Sequence, residues 1–388
     1  MKIQLAKRIQ ELPPYLFAHI DQLRAEQAAK GVDLIDLGVG DPDLPTPPHI
    51  VKAVQEASAR PAHHRYPSYV GMMDFRKAAA SFMKTRFGVT VDPAKEVVAL
   101  IGSKEGVAHL PLALVDPGDV VLCPDPGYPV YTVGTRFAGG EPYLMPLKRE
   151  KGFVPDLGAI PADVAKRAKV MWVNYPNNPT AALAPRGFYE ELIAFAKQHE
   201  IIIASDLAYS EIYFDDGDKP QSILEIPGAK DVAIELHSLS KTYNMTGWRV
   251  GFAVGNPELV SALGKVKTNV DSGVFEAVQV AAISALTGDQ ACVAETRRIY
   301  KERRDVLCGG LAKLGYDVLT PKASFYTLVV VPKGETSASW AEKLLTEHGI
   351  VGTPATGFGA AAEGYVRLTL CADKARLALA VERLAKKK

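Results

Sequence analysis

A chain of 388 residues can build two domains, or one large domain with an appendage. Its hydrophobic fraction of 47% and its charged fraction of 23% are typical of globular proteins. Because 45 basic residues balance 44 acidic ones, the composition excludes a nucleic acid or a membrane surface as a partner bound by bulk charge.

The N-terminal part of the sequence predicts an arm, a helix and a strand ahead of a loop. A Pro-Pro pair at 13–14 marks the extended arm, and a helix is predicted over residues 18–29. A short apolar run at 34–37 ends in a loop rich in glycine and proline at 38–48. We expect a helix at about 49–59 to follow this loop.

The central part of the sequence alternates between strand and helix patterns. Its apolar runs are short, β-branched and continuous, which is typical of a sheet covered on both faces. Alternation with helices favours mostly parallel strands and an α/β domain. The predicted strands are 97–101, 120–123, 170–173, 201–204, 232–236 and 250–254. The predicted helices are 73–87, one that opens at 102–106, and 188–198.

Beyond residue 275 the pattern changes to longer helices with few strands. Helices are predicted at 277–286 and 289–314, and strands at 327–331 and 365–370. The predicted fold class is therefore α/β, with a mostly parallel central sheet flanked by helices and a smaller α+β domain formed by both termini. The predicted divisions are an N-terminal arm with part of the small domain, a large domain and a C-terminal small domain, at 1–45, 46–285 and 286–388.

A glycine-rich turn stands at the first of the strand-to-helix junctions. In open α/β sheets, ligands bind beyond the carboxyl ends of the strands. The sequence Gly102-Ser-Lys-Glu-Gly106 offers free backbone amides and small residues there, as a phosphate cradle requires. The alternative is that Ser103 only caps the helix.

Four polar or aromatic residues follow other strands. Asp206 either caps a turn or pairs with the protonated nitrogen of a pyridine ring, which turns the ring into an electron sink. Tyr209 and Asn178 could share the oxygen of such a ring, although Asn178 before Pro179 also suits a turn. Tyr128 either covers the face of a planar cofactor or packs on its own loop.

The stretch from Ser238 to Arg249 lies between two predicted core strands, an unusual place for a lysine. Lys241 is flanked by Ser238, Ser240 and Thr242, and Arg249 follows eight residues on. This set can hold an anionic cofactor beside a reactive amine, unless Lys241 is a solvated loop lysine. Burial and nearby cations would lower the pKa of Lys241 and make it a nucleophile, and later the base for a Cα proton. The hypothesis is a Schiff base between Lys241 and pyridoxal phosphate.

Arg367 lies inside an apolar predicted strand. An arginine in such a place needs an anionic partner. That partner is either a substrate carboxylate bound bidentately or a structural acidic side chain.

Several other kinds of site are not indicated. The eight histidines and four cysteines show neither metal-ligand nor CxxC spacing, so we expect no metal site and reduced cysteines. There is no GxSxG motif and no P-loop. The first 14 residues carry no apolar signal region, and no apolar run approaches the ~20 residues that span a bilayer. We therefore expect a cytoplasmic protein.

The order of these motifs along nearly the whole chain resembles the class I and II aminotransferases of pyridoxal-phosphate fold type I. The most specific string is Ser238-Leu-Ser-Lys-Thr-Tyr-Asn-Met-Thr-Gly-Trp-Arg-Val-Gly-Phe252. The resemblance implies that Lys241 carries the Schiff base and that Asp206 pairs with the ring nitrogen. The cofactor-binding residues it implies are Ser103, Lys104, Tyr128, Asn178, Asp206, Tyr209, Ser238, Lys241 and Arg249.

Within that set, the resemblance implies a division of roles. The phosphate lies against the amides around Ser103 and Lys104, against Ser238 and against Arg249. Tyr128 stacks on the ring. The ring oxygen is bonded by the side chains of two residues, Asn178 and Tyr209.

The resemblance also implies a homodimer with shared active sites. Tyr66 matches a tyrosine that reaches the phosphate of the partner subunit, and 269–273 is similar to a segment lent across the interface. Gly40 and Arg367 look like the clamp for the substrate α-carboxylate. One departure is Ala181, where the family motif Asn-Pro-Thr-Gly has glycine, so we expect a slightly different turn.

A finer resemblance, in the strings at 65–71, 102–106 and 240–252, is to LL-diaminopimelate aminotransferases. It implies LL-diaminopimelate as donor and 2-oxoglutarate as acceptor, with Lys104 and Tyr15 at the distal end of the substrate. The alternatives are an aminotransferase for aspartate, alanine or an aromatic donor, or a β-eliminating carbon–sulfur lyase. These enzymes would keep every cofactor residue. A ligand-sensing regulator would need a basic DNA-binding module, for which the segment before residue 34 is too short.

Overall fold

A seven-stranded sheet and a smaller antiparallel sheet position the residues predicted to bind a ligand. The computed structural model describes residues 1, 3–10, 12 and 18–386. The strands are β1 (Ile35–Asp36), β2 (Val97–Leu100), β3 (Val120–Asp125), β4 (Glu141–Pro146), β5 (Ala168–Val173), β6 (Ile202–Asp206), β7 (Ala233–Ser238), β8 (Gly251–Gly255), β9 (Val318–Leu319), β10 (Tyr326–Val330), β11 (Ile350–Val351), β12 (Thr353–Pro354) and β13 (Tyr365–Thr369). The helices are α1 (Lys7–Gln10), α2 (Ala18–Ala29), α3 (Pro48–Ser58), α4 (Met73–Phe87), α5 (Ser103–Leu114), α6 (Val130–Phe137), α7 (Ala162–Arg167), α8 (Arg186–His199), α9 (Leu239–Thr242), α10 (Pro257–Val270), α11 (Glu276–Thr287), α12 (Ala291–Lys313), α13 (Ser337–His348) and α14 (Lys374–Ala385).

The strand directions bring several loops to one edge of the large sheet. The strand order is β2-β8-β7-β6-β5-β3-β4. All neighbours are parallel except β8, which runs antiparallel to both β2 and β7. The prediction of a mostly parallel sheet is confirmed. The carboxyl ends of β2, β3, β5, β6 and β7 therefore share an edge with the amino end of β8.

Both faces of this sheet are buried, as continuous apolar strands predict. Along β2, Val97 and Ala99 pack into one core, whereas Val98 and Leu100 pack into the core on the opposite face. Helices α3, α4, α8 and α11 contribute to the first core, and α5 and α10 to the second. The large sheet is thus covered by helices on both sides.

The C-terminal part builds a smaller unit around a four-stranded antiparallel sheet of order β12-β13-β10-β9. Strand β1 from the N-terminal part pairs with β11 in parallel. The core of this unit combines Ile35 and Leu37 with Leu344 and Leu377. Tyr209, from the central part of the chain, joins the same core. The core of the smaller unit therefore includes a residue from between the predicted boundaries at 45 and 285, and these boundaries stay a prediction.

Helices α11 and α12 lead from the large unit into the smaller one. Val293, near the start of α12, packs in a core of the large sheet, whereas Leu307 and Leu311 pack in the smaller unit. Among the described residues, no single helix is long and apolar enough to cross a membrane. Helices α11 and α12, which meet at a bend of 78°, reach the necessary length and apolar composition only when they are taken together.

Several elements lie where the sequence pattern assigned none. The longer ones are β4, α6, α7, α10, α13 and α14, and the short ones are α1, β9, β11 and β12. Strand β4 is an edge strand whose residues are mostly exposed or half-buried, and it contains prolines at 142 and 146. Proline is tolerated on a sheet edge but weakens the sequence signal of a strand. The predicted loop from 238 to 249 also contains a short helix, α9.

Candidate active site

A cavity of about 250 Å³ opens at the edge where the strand ends meet. Ten of the residues singled out in the sequence line it. The lining residues are Gly40, Ser103, Lys104, Tyr128, Tyr131, Asn174, Asn178, Asp206, Ala208, Tyr209, Ser238, Ser240, Lys241, Thr246, Arg249 and Tyr326. The fold therefore gathers side chains that are up to 286 positions apart in the sequence, from Gly40 to Tyr326.

Lys241 extends into this cavity from α9, the short helix that follows β7. The hydroxyl oxygen of Ser238 caps that helix by accepting a hydrogen bond from the backbone N–H of Ser240. The Lys241 amine donates to the carbonyl oxygen of Gly40 at 3.2 Å. Burial, reinforced by the positive charges of Arg249 and Arg367, lowers the pKa of Lys241. A lowered pKa increases the fraction of neutral, nucleophilic amine.

Asp206 ends β6 with one carboxylate oxygen paired and the other unpaired. Its Oδ2 atom accepts a hydrogen bond from the Tyr131 hydroxyl at 2.8 Å. Its Oδ1 atom is buried and has no hydrogen-bond partner among the described residues. Burial raises the pKa of Asp206 to about 6, although the bond from Tyr131 and the nearby His237 ring oppose the increase. A cationic N–H group beside Oδ1 would satisfy this carboxylate.

The backbone turn before α5 leaves space for a guanidinium group. Gly102 has φ +73°, and a Cβ atom there would collide with the guanidinium of Arg249. Arg249 itself adopts φ +57° and donates to the carbonyl oxygen of Thr246 at 2.8 Å. Because β8 runs antiparallel to its neighbours, Arg249 arrives at the same edge as the N-terminus of α5. Free backbone amides and a cation together make an anion site.

Arg367 lies on β13, almost fully buried and next to the cavity. Its guanidinium donates to Asn178 Oδ1 at 2.9 Å and to the Gly38 carbonyl at 2.6 Å. It also lies 4.3 Å from the centre of the Tyr326 ring and 4.5 Å from that of Phe358. No carboxylate forms an ion pair with it in the described part of the chain, and its Nε atom has no partner there. A buried cation with neutral partners is suited to bind an external anion.

Comparison with known proteins identifies the family. Residues 32–384 match the family of aminotransferases of class I and II. The chain belongs to this family. The LL-diaminopimelate aminotransferase of Syntrophobacter fumaroxidans is 58% identical over 381 residues and 98% of each chain. That of Nitratidesulfovibrio vulgaris (strain Hildenborough) is 58% identical over 384 residues and 99% of each chain. A substrate-bound BacF structure from Bacillus subtilis is 41% identical, has a TM-score of 0.94, and is matched over 100% of this chain and 98% of that chain.

The chain is thus an aminotransferase that depends on pyridoxal 5'-phosphate, and its cavity fits that cofactor. The unpaired Oδ1 of Asp206 is suited to a protonated ring nitrogen, and the anion site at α5 is suited to a phosphate. Tyr128 supplies an aromatic ring in the same cavity. Lys241 supplies an amine with a lowered pKa.

Among the described residues, two predicted positions do not line the cavity of this aminotransferase, Tyr66 and the segment 269–273, and Arg367 lies beside it through Asn178 and Tyr326. The side chain of Tyr66 is 87% exposed, far more than a cavity residue would be. The segment 269–273 packs instead on the loop of Tyr66, since a Cβ on Gly273 would lie 2.9 Å from the Ser68 carbonyl oxygen. Tyr15 lies outside the described residues.

Three residues that shape the site were not among those predicted from the sequence. Tyr131 bonds Asp206, and Tyr326 lies 3.1 Å from Tyr209, hydroxyl to hydroxyl. Asn174 donates to the Asp206 carbonyl at 2.7 Å and so ties β5 to β6. Asn174 directly follows a predicted strand, so the rule that selected Asp206 could have found it. The tyrosines lie inside a helix and at the start of a strand, where no local pattern marks them.

Ala181 stands where the family motif has glycine. It adopts φ +59°, in the left-handed region. An alanine there is sterically disfavoured by about 1 kcal/mol or more relative to glycine. Ala181 nevertheless adopts this strained conformation. The expected slight change of the turn stays a prediction.

One cluster of possible metal ligands exists beyond the cavity. Atoms of Glu105, His109 and Asp271 lie within 4.8 Å of one another. The ammonium of Lys267 contacts both carboxylates, at 2.6 and 3.2 Å. The ammonium already offsets one of the two negative charges of this cluster, and the expectation of no metal stays a prediction.

Proposed function

We propose that this aminotransferase moves an amino group from LL-diaminopimelate to 2-oxoglutarate. The observation that carries the proposal is 58% identity to LL-diaminopimelate aminotransferases over 98% of each chain, together with a cavity that holds the expected amine, carboxylate and anion site. We further propose that the protein works in the cytoplasm, as its near-neutral, unexceptional composition favours.

In the proposed site, each cofactor group has a residue of matching chemistry. The backbone amides around Ser103 and Lys104, the Ser238 hydroxyl and the Arg249 guanidinium bind the phosphate. Tyr128 stacks on the ring. Three other side chains act at the ring's polar atoms: Asp206 at the nitrogen, and Asn178 and Tyr209 at the oxygen.

Tyr131 and Tyr326 support two of these roles. Tyr131 holds one oxygen of Asp206, so the other oxygen can face the ring nitrogen. Burial and the nearby Tyr326 raise the pKa of Tyr209 well above its usual value. Tyr209 therefore stays protonated and donates its hydrogen bond.

Lys241 performs the proton transfer. When bound, the cofactor supplies an electron-poor ring that takes up the electron pair left on the substrate Cα. With the cofactor bound, the Lys241 amine would be the base that removes the proton from the substrate Cα and the acid that returns it. Because burial lowers the pKa of Lys241, a larger fraction of its amine is neutral and able to accept a proton than in a solvent-exposed lysine.

The substrate end of the cavity grips the α-carboxylate. Arg367 offers a buried guanidinium, and Gly40 leaves room beside it, because a Cβ atom there would collide with the Tyr326 hydroxyl. Asn178 orients the guanidinium through its Oδ1 atom. Lys104, exposed at the mouth, and Tyr15 are the proposed contacts for the distal carboxylate and ammonium.

We propose a homodimer in which Tyr66 reaches the phosphate in the partner subunit. Other exposed apolar side chains lie near the strongly exposed Tyr66 in the sequence, or flank Gly273, which packs on the loop of Tyr66. These are Tyr69, Met73, Val270 and Phe275. Such a cluster is typical of a protein–protein interface. The arm adds Ile3, Leu5 and Ile9, also exposed.

Half-reactions test the function. Purified protein loaded with pyridoxal phosphate should be yellow and should convert to the amine form with LL-diaminopimelate faster than with aspartate, alanine or an aromatic amino acid. Borohydride should fix the cofactor on Lys241, which peptide mapping would detect. A faster reaction with another donor would identify a different aminotransferase. Release of pyruvate, ammonia and homocysteine from cystathionine without a 2-oxo acid would identify a lyase.

A further inference from the structure

A fully buried lysine, Lys267, lies behind the anion site without lining the cavity. It belongs to α10, and its side chain is 0% exposed. Its amine donates to Glu105 Oε1 at 2.6 Å and to Asp271 Oδ2 at 3.2 Å. Burying an ammonium group is costly unless its partners hold it well. The proposed transamination chemistry gives this charge no task.

Glu105 connects the lysine to the turn that presents the backbone amides. It is the third residue of α5, and its Oε2 atom accepts the backbone N–H of Ile101 at 2.5 Å. That bond spans the turn at Gly102 and Ser103, where the phosphate is proposed to bind. The other carboxylate oxygen, Oε1, accepts from Lys267 at 2.6 Å and lies 3.3 Å from His109 Nδ1. The shorter contact, from the ammonium, holds the orientation of Glu105.

Asp271 connects the lysine to a second segment of the chain, the loop that carries Tyr66. Its Oδ1 atom accepts the backbone N–H of Gly273 at 2.7 Å. Gly273 in turn packs closely on the loop that carries Tyr66, 2.9 Å from the Ser68 carbonyl to the position of a Cβ atom. Lys267 is therefore anchored at two points that belong to different segments of the chain.

We propose that Lys267 is a positioning residue for the phosphate: by holding Glu105 against Asp271, it fixes the turn whose amides bind that group. The inference rests on the proposed phosphate site at Ser103 and Arg249. Without the ammonium, the Glu105 carboxylate loses its cation and can leave the Ile101 N–H. The amides of the turn then no longer point at one place.

The test compares two forms of the cofactor, since only one carries a phosphate. The double variant E105Q/K267M removes both charges of the Lys267–Glu105 contact, and Asp271, which is 15% exposed, keeps its hydrogen bond from the Gly273 N–H. We expect its Kd for pyridoxal phosphate to rise about tenfold or more, because the loss of one hydrogen bond to a charged group weakens binding by about tenfold to a hundredfold. The Kd for pyridoxal, which lacks the phosphate, should stay within about twofold. Titration of the cofactor-free protein, followed by absorbance, measures both constants.

Three controls separate positioning from folding. The variant K265M changes an exposed lysine of the same helix and should bind both forms as the wild type does. Circular dichroism should give the cofactor-free double variant the wild-type spectrum. The single variant K267M, which leaves Glu105 charged, should lose more affinity for the phosphate form than the double variant.

The outcomes distinguish this inference from the proposed function. If E105Q/K267M weakens both cofactor forms equally or neither form, Lys267 has only a structural role and the inference is wrong. If the wild type binds neither form, the proposed function fails, and this inference fails with it. A selective loss of the phosphate form supports both.

Discussion

The cofactor side of the cavity and its substrate side are built from different parts of the molecule. On the cofactor side, Asp206 and Ser238 end neighbouring strands of one sheet, and backbone pairing fixes them, with Asp206 opposite Leu236. On the substrate side, Arg367 comes from the smaller sheet, and Lys104 is exposed at the mouth. The proposed proton transfer therefore depends on residues at one edge of the large sheet. The choice of amino donor depends on residues from several segments that meet at that edge. Substitutions on the two sides should therefore change different kinetic parameters.

The largest effect is expected on the cofactor side, at Lys241. K241A removes the only amine proposed to move the Cα proton, and general base catalysis is worth about a hundredfold to ten-thousandfold. Transamination of every donor should fall by about a thousandfold in kcat, and borohydride should no longer fix the cofactor to the chain. Stopped-flow half-reactions measure the rate.

The control for this prediction is cofactor binding without catalysis. K241A should still bind pyridoxal phosphate through the anion site and Asp206. K301A, at an exposed lysine of α12 that contacts Asp215, should keep wild-type activity. Activity within tenfold of the wild type in K241A would show that another group moves the proton.

A smaller effect is expected on the substrate side, at Arg367. R367K keeps the charge but loses the planar fork that grips a carboxylate in two places. A hydrogen bond to a charged group is worth about 1.5–3 kcal/mol, so KM should rise about tenfold to a hundredfold. Because every donor carries an α-carboxylate, the increase should be similar for LL-diaminopimelate and for alanine.

The same substitution at a surface arginine serves as the control for Arg367. R298K, on α12, changes an exposed guanidinium that pairs with Glu295 and Glu302, and KM should not change. A decrease in kcat with unchanged KM in R367K would contradict a role in carboxylate binding.

The two sides also differ in how far the sequence predicted them. Asp206, Ser238 and Lys241 could be found because short apolar runs predict strands and ligands bind where parallel strands end. Tyr131 could not, since it lies in the helix α6 and bonds a carboxylate 75 positions away. No local pattern records such a contact.

The direction of strand β8 determines where Arg249 lies, and the sequence pattern does not predict that direction. The sequence placed Arg249 before a strand but did not reveal that β8 runs antiparallel to its neighbours. That direction brings Arg249 against Gly102. Likewise, the predicted strand at 365–370 was correct, yet only tertiary packing shows that Arg367 has Tyr326 and Phe358 on either side.

Lys104 allows the two sides to be separated at a single residue. Its backbone amide is proposed to bind the phosphate, and its side chain the distal end of the donor. K104A keeps the amide, so cofactor affinity should not change. Exposed ion pairs are worth up to about 1 kcal/mol, so kcat/KM for LL-diaminopimelate should fall about fivefold while that for alanine stays constant. Equal losses for both donors would refute the distal role, and K148A, at an exposed lysine outside the cavity, serves as control.

The smallest effect concerns Asp206, and it tests whether the cofactor side is complete without its ligand. Burial raises the pKa of Asp206 to about 6 from 3.8, so the folded, cofactor-free chain holds this proton more tightly than the unfolded chain does. The stability that this group contributes is full below about pH 4 and is lost as the pH rises to about 6 and beyond. Between pH 5 and pH 7 the loss should be about 1 kcal/mol. It appears as the difference between wild type and D206N in urea unfolding at the two pH values.

Adding the cofactor should abolish this pH dependence of stability if Asp206 pairs with the ring nitrogen. A cationic N–H beside Oδ1 favours the ionised carboxylate, so the loss of stability between pH 5 and pH 7 should disappear in the loaded wild type. D206N, which has no carboxylate, should show no such change on loading. An equal pH dependence in wild type and D206N without cofactor would mean that Asp206 is already satisfied in the folded chain. In that case the Asp206 carboxylate would need no ligand to satisfy it, and its unpaired oxygen would no longer support a ring nitrogen at this position.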